Sequence, residues 1–272
     1  MKDFVKQLIS PLLPRSLKPA AAPAPPIFNS YGDAYAVCQK SAYEGEDIVK
    51  VVIEKNIAYK KQIQSNPTFD LGSLRTLIGL GIANTKDSLH VLDFGGGGGY
   101  HYTIARVALG NGKSLKWNVI ETPAMVKEAQ RITDGNLKFF DNITDAKSDL
   151  GSVDLVFTSS ALQYCPNPLK CLKELTEVGA KYLFITRTPF GDSDKSLISI
   201  QESNLSDNGP GPLPLGFADR TVSYPITFAN KHEAVEILNE KYEIRFSIVE
   251  DKASFRAGNS KFDKFGYFCS LR

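Results

Sequence analysis

Five consecutive glycines, residues 95–99, follow the apolar run LHVLDF at residues 89–94. Glycine adopts backbone conformations that other residues avoid, and a ligand can approach its main chain without meeting a Cβ atom. A helix that begins near Tyr102 would direct free N–H groups and the positive end of its dipole at such a ligand. A strand, a glycine loop and a helix in this order therefore predict a ligand-binding loop.

Short apolar runs recur beyond this loop and predict a sheet. They lie at residues 89–94, 115–121, 137–141, 153–158 and 182–187, with helical segments between them. Strands that alternate with helices form parallel sheets with crossover helices. Two further extended runs, 242–250 and 265–272, are close enough to form an antiparallel hairpin. The expected fold class is α/β, a Rossmann-like seven-stranded sheet that is mostly parallel, with a C-terminal antiparallel hairpin and an N-terminal helical cap.

An acidic residue, Glu121, ends the second predicted strand, 22 residues after the last glycine of the loop. In an open parallel sheet, ligands bind beyond the carboxyl ends of the strands. A carboxylate at that position can accept hydrogen bonds from both hydroxyls of a ribose. The sequence therefore predicts a site for a cofactor that contains a nucleoside.

The spacing of the glycines distinguishes between two cofactor classes. A dinucleotide loop reads G-x-G-x-x-G/A, but the sixth position counted from Gly95 is Tyr100. The pattern D-x-G-x-G-x-G fits instead, as Asp93, Gly95, Gly97 and Gly99. The preceding carboxylate suits a cofactor that carries an ammonium group, whereas it would repel a pyrophosphate.

This loop resembles the first motif of the class I S-adenosylmethionine (SAM)-dependent methyltransferases. The resemblance implies that SAM is the cofactor, that Glu121 binds its ribose, and that Asp141 and Asn142 contact its adenine. Residues 152–160 resemble the fourth-strand motif, whose backbone and hydroxyl groups approach the methionine part. The implied cofactor-binding residues are Asp93, Gly95, Gly97, Gly99, Tyr100, Glu121, Thr122, Asp141, Asn142 and Ser159.

A narrower resemblance runs from about residue 28 to the C-terminus. It is carried by LDFGGGGGYHY, WNVIET, SSALQY followed by NP, ITRTPF, the isolated Gln201 and VSYP. Together these resemble a subfamily of methyltransferases of unknown substrate, often found among bacterial surface-polysaccharide genes. We expect methylation of a small molecule or glycan precursor, with oxygen the favoured acceptor atom. An NAD-dependent oxidoreductase and a cofactor-binding scaffold without transfer chemistry stay open as alternatives.

Three side chains are candidates for the transfer step itself. Most of the catalysis can come from positioning the acceptor next to the donor methyl group, and a hydroxyl acceptor benefits from a general base. His101 is a candidate base or acceptor-orienting group, or else a helix-start residue that contacts the cofactor carboxylate. Gln163 follows the fourth strand and points towards the same region. Arg187 ends the fifth strand, where it pairs either with an anionic acceptor, such as a sugar phosphate or carboxylate, or with a structural partner.

Composition limits the partners. The chain has 32 Lys and Arg against 30 Asp and Glu, a net charge of +2, which disfavours a nucleic-acid acceptor. The four cysteines lack the spacing of a metal or redox site, so no metal is expected and a cytoplasmic location is predicted. The sequence does not predict the oligomeric state.

The chain divides into three predicted parts. Residues 1–26 form an N-terminal extension that ends in a Pro/Ala spacer, and its residues 1–19 carry a secondary hypothesis of contact with a membrane surface. Residues 27–87 form the helical cap. Residues 88–272 form the methyltransferase domain, in which 188–228 is a lid-like insertion, because a loop of that length is usually functional or disordered.

Overall fold

A computed structural model describes residues 25–38 and 43–272 of the chain. The hypothesis of membrane contact through residues 1–19 lies outside these described residues. Within them, no helix combines the length and the apolar character that crossing a membrane requires.

Five parallel strands form the centre of the molecule, in the order β3-β2-β1-β4-β5. They are β1 (Ser88–Phe94), β2 (Ser114–Ile120), β3 (Leu137–Phe140), β4 (Leu155–Ser159) and β5 (Tyr182–Gly191). Every residue of β4 is buried, as expected for a parallel strand that is covered on both faces. These strands match the apolar runs, and the predicted Rossmann-like α/β fold class is confirmed.

Helices cross over between these strands, and three of the four begin after a side-chain cap, Thr122, Asn142 or Asn167. They are α4 (Tyr100–Leu109), α5 (Pro123–Ala129), α6 (Ile143–Leu150) and α7 (Pro168–Glu177). At the start of α5, the Thr122 side chain accepts a hydrogen bond from the Met125 N–H, and Pro123 occupies the first helical position. Ser, Thr and Asn side chains satisfy the free N–H groups of a first turn in this way. The caps therefore hold the helix starts at the carboxyl edge of the sheet.

Beyond β5 the sheet branches. Strand β9 (Ser260–Leu271) pairs antiparallel with β5, and β8 (Tyr242–Ala257) pairs with β9, as the predicted C-terminal hairpin. Helix α8 (Lys231–Lys241) precedes β8. Strand β7 (Thr221–Asn230) runs parallel to only the last two residues of β5 and pairs antiparallel with β6 (Leu197–Asn204).

The segment 188–228 differs from the sequence-based expectation. The sequence predicts a loop that forms a lid-like insertion, yet the segment contains the end of β5, all of β6 and most of β7, and the described sheet has nine strands in all. Pro225 interrupts the apolar pattern of β7, and prolines are tolerated within strands only at edges or irregular positions. The Pro/Gly-rich residues 209–216 form only the connection between β6 and β7.

The N-terminal helices cover the sheet as the predicted cap. They are α1 (Tyr31–Cys38), α2 (Glu46–Ser65) and α3 (Leu74–Ala83). Helix α2 buries Val52 and Asn56 against the glycine loop, and α1 packs against β6 and β7. The cap and the β6–β7 hairpin therefore enclose the carboxyl edge of the sheet from two sides.

Candidate functional site

The glycine loop joins β1 to α4 and alternates in backbone handedness. Gly95, Gly97 and Gly99 lie at φ values of +71°, +57° and +81°. This left-handed region costs other residues roughly 1–2 kcal/mol each. The predicted D-x-G-x-G-x-G pattern therefore coincides with the positions where the turn needs glycine.

The loop also packs too closely for side chains. A Cβ atom at Gly95 would lie 2.2 Å from the Ala161 Cβ, and one at Gly98 would lie 2.7 Å from Asn56 Nδ2. The cap helix α2 and the segment after β4 thus hold the loop on two sides. This contact leaves the main chain of Gly95 facing the cavity described below.

Asp93 lies beneath the loop and is fully buried. Its Oδ2 accepts a hydrogen bond from Trp117 Nε1 at 3.0 Å, and His101 Nδ1 lies 3.0 Å from the same oxygen. From the sequence we expect Asp93 to face the cofactor ammonium and His101 either to reach the acceptor or to contact the cofactor carboxylate. The structure instead joins the two side chains to each other, so their visible role is to support the loop and the start of α4.

Glu121 connects the end of β2 to the glycine loop. Its Oε1 accepts a hydrogen bond from the Gly97 N–H at 2.9 Å, and its Oε2 accepts one from the Thr122 N–H at 3.0 Å. Burial raises the pKa of this carboxyl, while the two N–H groups oppose that rise. Each oxygen keeps a second lone pair, so the carboxylate can still accept hydrogen bonds from a ligand.

A cavity of about 400 Å³ opens at the carboxyl ends of β1 to β4. This volume lies within the usual range of about 300–1,000 Å³ for small-molecule sites. The sheet contributes Phe94, Gly95, Ile120, Glu121, Thr122, Asp141, Ser160 and Ala161 to its lining. Apolar side chains between two carboxylates suit a nucleoside, whose base is flat and whose ribose hydroxyls are donors.

The charge of this cavity has one sign. Its lining contains the carboxylates Glu44, Glu121 and Asp141, and no Lys, Arg or His stands among its lining residues within the described part of the chain. Such a lining favours a cationic ligand over a pyrophosphate. The residues present therefore fit SAM, which carries a sulfonium and an ammonium, better than a dinucleotide.

Three tyrosines form the opposite wall of the cavity. The ring centroids of Tyr43, Tyr164 and Tyr224 lie 4.8–5.2 Å apart. Tyr164 OH donates a hydrogen bond to Gln201 Oε1 at 3.1 Å, and burial raises the pKa of all three phenols. They remain neutral at physiological pH and present hydroxyl groups beside an apolar surface.

Some predicted site residues lie away from this cavity. Asn142 caps α6 by accepting a hydrogen bond from the Asp145 N–H, and Ser159 is buried as the last residue of β4. Ser160 lines the cavity in its place.

Gln163 is fully buried and donates to Ser160 Oγ at 2.9 Å. Tyr100 contacts Ser73 Oγ at 3.2 Å and packs against Tyr59.

Arg187 is exposed and lies in the left-handed region, at φ +56°. Ser160, on the neighbouring strand end, is the other described non-glycine residue with positive φ, at +58°. The Ser160 N–H donates to the Thr186 carbonyl oxygen at 3.1 Å, which links Ser160 to the residue that precedes Arg187. Strained residues persist where the surrounding structure holds them, and they cluster at functional sites.

Sequence patterns missed the residues that the cap region contributes to the cavity, which are Tyr31, Tyr35, Tyr43 and Glu44. Tyr31 and Tyr43 belong to the cap region, and Tyr31 OH donates to the Tyr164 carbonyl oxygen at 2.8 Å. No motif marks these tyrosines, because their position depends on how the cap packs against the sheet. An aromatic residue shortly before a predicted cap helix is the only available signal.

The comparisons with known proteins concern the fold. No protein-family model and no curated protein sequence matches the chain. A SAM-dependent methyltransferase from Clostridium acetobutylicum is similar in structure, with a TM-score of 0.45, 13% identity, and coverage of 79% of this chain and 96% of that one. A SAM-dependent methyltransferase from Aquifex aeolicus has a TM-score of 0.41, 18% identity, and coverage of 78% and 98%. The cyclase SpnF has a TM-score of 0.46, 11% identity, and coverage of 73% and 80%.

Proposed function

We propose that this chain is a SAM-dependent methyltransferase that methylates a small molecule or glycan precursor, with oxygen as the acceptor atom. One observation carries the proposal: the cavity beside the glycine loop is lined by carboxylates and by no cationic side chain among the described residues. This lining would repel the pyrophosphate of NAD, whereas it attracts the cationic groups of SAM.

The residues around the cavity have separate roles in this proposal. Glu121 accepts hydrogen bonds from the ribose, while the Gly97 and Thr122 N–H groups hold its carboxylate in place. Asp141 lies beside the base, and Phe94 and Ile120 cover its apolar faces. When bound, SAM supplies an electrophilic methyl group on sulfur.

Positioning is the main contribution of the chain to the reaction. Holding two reactants in the right geometry supplies roughly 7–11 kcal/mol of a barrier. The tyrosine wall provides a surface on which an acceptor can lie, and its neutral hydroxyls can donate or accept hydrogen bonds. His101 is half of a buried pair with Asp93, so we assign it a positioning role and no proton transfer.

Calorimetric titration of the full chain with SAM, S-adenosylhomocysteine and NADH tests the cofactor. We expect both adenosyl compounds to bind and to stabilise the fold by about 2.7 kcal/mol at a hundredfold excess over Kd. Glu121→Gln is expected to weaken binding, while the control Glu128→Gln, on the exposed side of α5, leaves it unchanged. Binding of NADH alone would refute the proposal.

Turnover is tested separately by measuring S-adenosylhomocysteine release with a panel of hydroxyl-bearing acceptors. Release that depends on one acceptor supports the transferase. If SAM binds but no acceptor causes release of S-adenosylhomocysteine, the chain is a non-catalytic scaffold and the proposed transferase activity is refuted.

A further inference from the structure

An irregularity in strand β5 presents the Arg187 side chain. The pairing of β5 with β9 shifts register between Ile185 and Thr188, so Arg187 lies in a β-bulge. A bulge bends a strand and redirects a side chain, and bulges are common next to active sites. The left-handed conformation of Arg187 belongs to this bulge. Because that conformation is unfavourable for an arginine, contacts from neighbouring residues must stabilise it.

Glu250 stabilises this bulge from strand β8. Its side chain is 3% exposed, accepts a hydrogen bond from the backbone N–H of Arg187, and forms an ion pair with Arg75 on α3. The carboxylate thus binds the main chain of Arg187 and the guanidinium of a different arginine. The guanidinium of Arg187 itself forms no ion pair among the described residues.

A second cation lies beside the bulge. Lys264 faces Pro189 on one neighbouring strand and Asp251 on the other, and its Nζ lies 3.8 Å from an Asp251 carboxylate oxygen. Its side chain is 24% exposed. Burial lowers the pKa of Lys264, and the charge of Arg187 lowers it further. The two cations are therefore close enough to repel each other.

This cation cluster borders the cofactor cavity. Arg187 follows Thr186, whose carbonyl oxygen accepts a hydrogen bond from the N–H of Ser160, a residue that lines the cavity. The charge of Arg187 also acts on Tyr43 and Tyr164, where it opposes the rise in pKa that burial causes. The charged side chains that act on Lys264 are Arg187 and Arg75 on one side and Glu250 and Asp251 on the other, so this group holds three cations and two carboxylates. An arginine beside a lysine is a common arrangement for binding phosphate or carboxylate groups.

We propose that Arg187 and Lys264 form an oxyanion site that binds a phosphate or carboxylate group of the acceptor next to the cofactor cavity. That the anion belongs to a methyl acceptor rests on the proposed function, whereas anion binding itself does not. The strain at Arg187 and the Glu250 contact then serve one purpose, because they hold at the edge of the cavity a guanidinium that has no ion-pair partner in the described part of the chain.

Calorimetric titration with inorganic phosphate and with acetate, at constant ionic strength, tests the site. We expect saturable binding of at least one anion, and the tighter of the two identifies phosphate or carboxylate as the group. Arg187→Gln should weaken it at least tenfold and Lys264→Gln threefold to tenfold. The control Arg245→Gln, at an exposed position of β8, should not change it. No saturable binding, or equal weakening by the control, would overturn the site.

Arg187→Gly separates binding from folding. Glycine adopts a positive φ without strain, so this variant should raise the Tm while it abolishes anion binding. A lower Tm would contradict the strain that we assign to the bulge. If S-adenosylhomocysteine binds but the anions do not, the oxyanion site fails and the proposed function stands. If the anions bind but S-adenosylhomocysteine does not, the proposed function fails and the oxyanion site stands.

Discussion

Replacing Gly95 by alanine should destabilise the fold through two separable effects. At φ +71°, an alanine costs about 1–2 kcal/mol in backbone conformation. Its Cβ would also lie 2.2 Å from the Ala161 Cβ, and such overpacking costs about 1–3 kcal/mol. We expect a total loss of about 2–5 kcal/mol in the free energy of unfolding, a large part of the roughly 5–15 kcal/mol that holds a typical domain together.

Two further variants isolate these effects. Gly179 has a similar φ of +70° and no heavy atom within 4 Å of its Cβ position, so Gly179→Ala should cost only the conformational part. In the double variant Gly95→Ala with Ala161→Gly, the Cβ of residue 95 would lie 3.5 Å from the Cα of residue 161, which is an ordinary van der Waals contact. The double variant should therefore recover the clash energy, less about 0.4–1 kcal/mol for the flexibility of the new glycine.

Urea unfolding followed by tryptophan fluorescence provides the measurement. Trp117 is the chain's single tryptophan and lies buried beneath the loop, hydrogen-bonded to Asp93. A Gly95→Ala variant as stable as Gly179→Ala would refute the close contact with Ala161. A double variant no more stable than Gly95→Ala would refute it equally.

Three other predictions concern the carboxylates of the site. Glu121→Gln removes a charged acceptor worth about 1.5–3 kcal/mol, so calorimetry should show S-adenosylhomocysteine affinity reduced roughly 10- to 150-fold. Because burial raises the pKa of Glu121, wild-type affinity should fall as pH decreases through that raised pKa, since protonation removes the acceptor; titrations of Glu121→Gln should show no such fall. Trp117→Phe leaves the buried Asp93 without its Nε1–H donor, and urea unfolding followed by circular dichroism should show a loss of about 1–3 kcal/mol.

The strands and the glycine loop around the cofactor cavity could largely be predicted, because each is marked by a short sequence pattern of its own. A buried parallel strand needs a continuous apolar run, and LHVLDF directly precedes the glycines of the loop. Glu121 ends a strand adjacent to β1, so parallel pairing alone places it near Gly97. The one-residue difference between Ser159 and Ser160 has a backbone cause, because the left-handed turn at Ser160 directs that residue to the cavity.

The proposed acceptor region around Arg187 and the tyrosine wall could not be predicted, because it depends on contacts between distant parts of the chain. Glu250 and Arg187 are 63 residues apart, and no spacing rule links a bulge in one strand to a carboxylate in another. The sequence leaves open whether Arg187 forms a structural ion pair. In the structure, the neighbouring carboxylate of Glu250 forms its ion pair with Arg75 and not with Arg187. Tyr43 and Tyr224 meet across an even longer stretch of chain, which packing determines and local pattern does not.

The net charge of +2 says little about either ligand, because the charges that matter are separated within the site. Carboxylates line the cofactor cavity, whereas Arg187 lies in the β5 bulge that adjoins it and Lys264 lies opposite Pro189, two residues further along that strand. Charges interact over about 8 Å at physiological ionic strength before salt screens them, so each group acts on the ligand next to it. A cationic methyl donor and an anionic acceptor would then each meet a complementary surface, and their reacting atoms would approach each other at the boundary between the two.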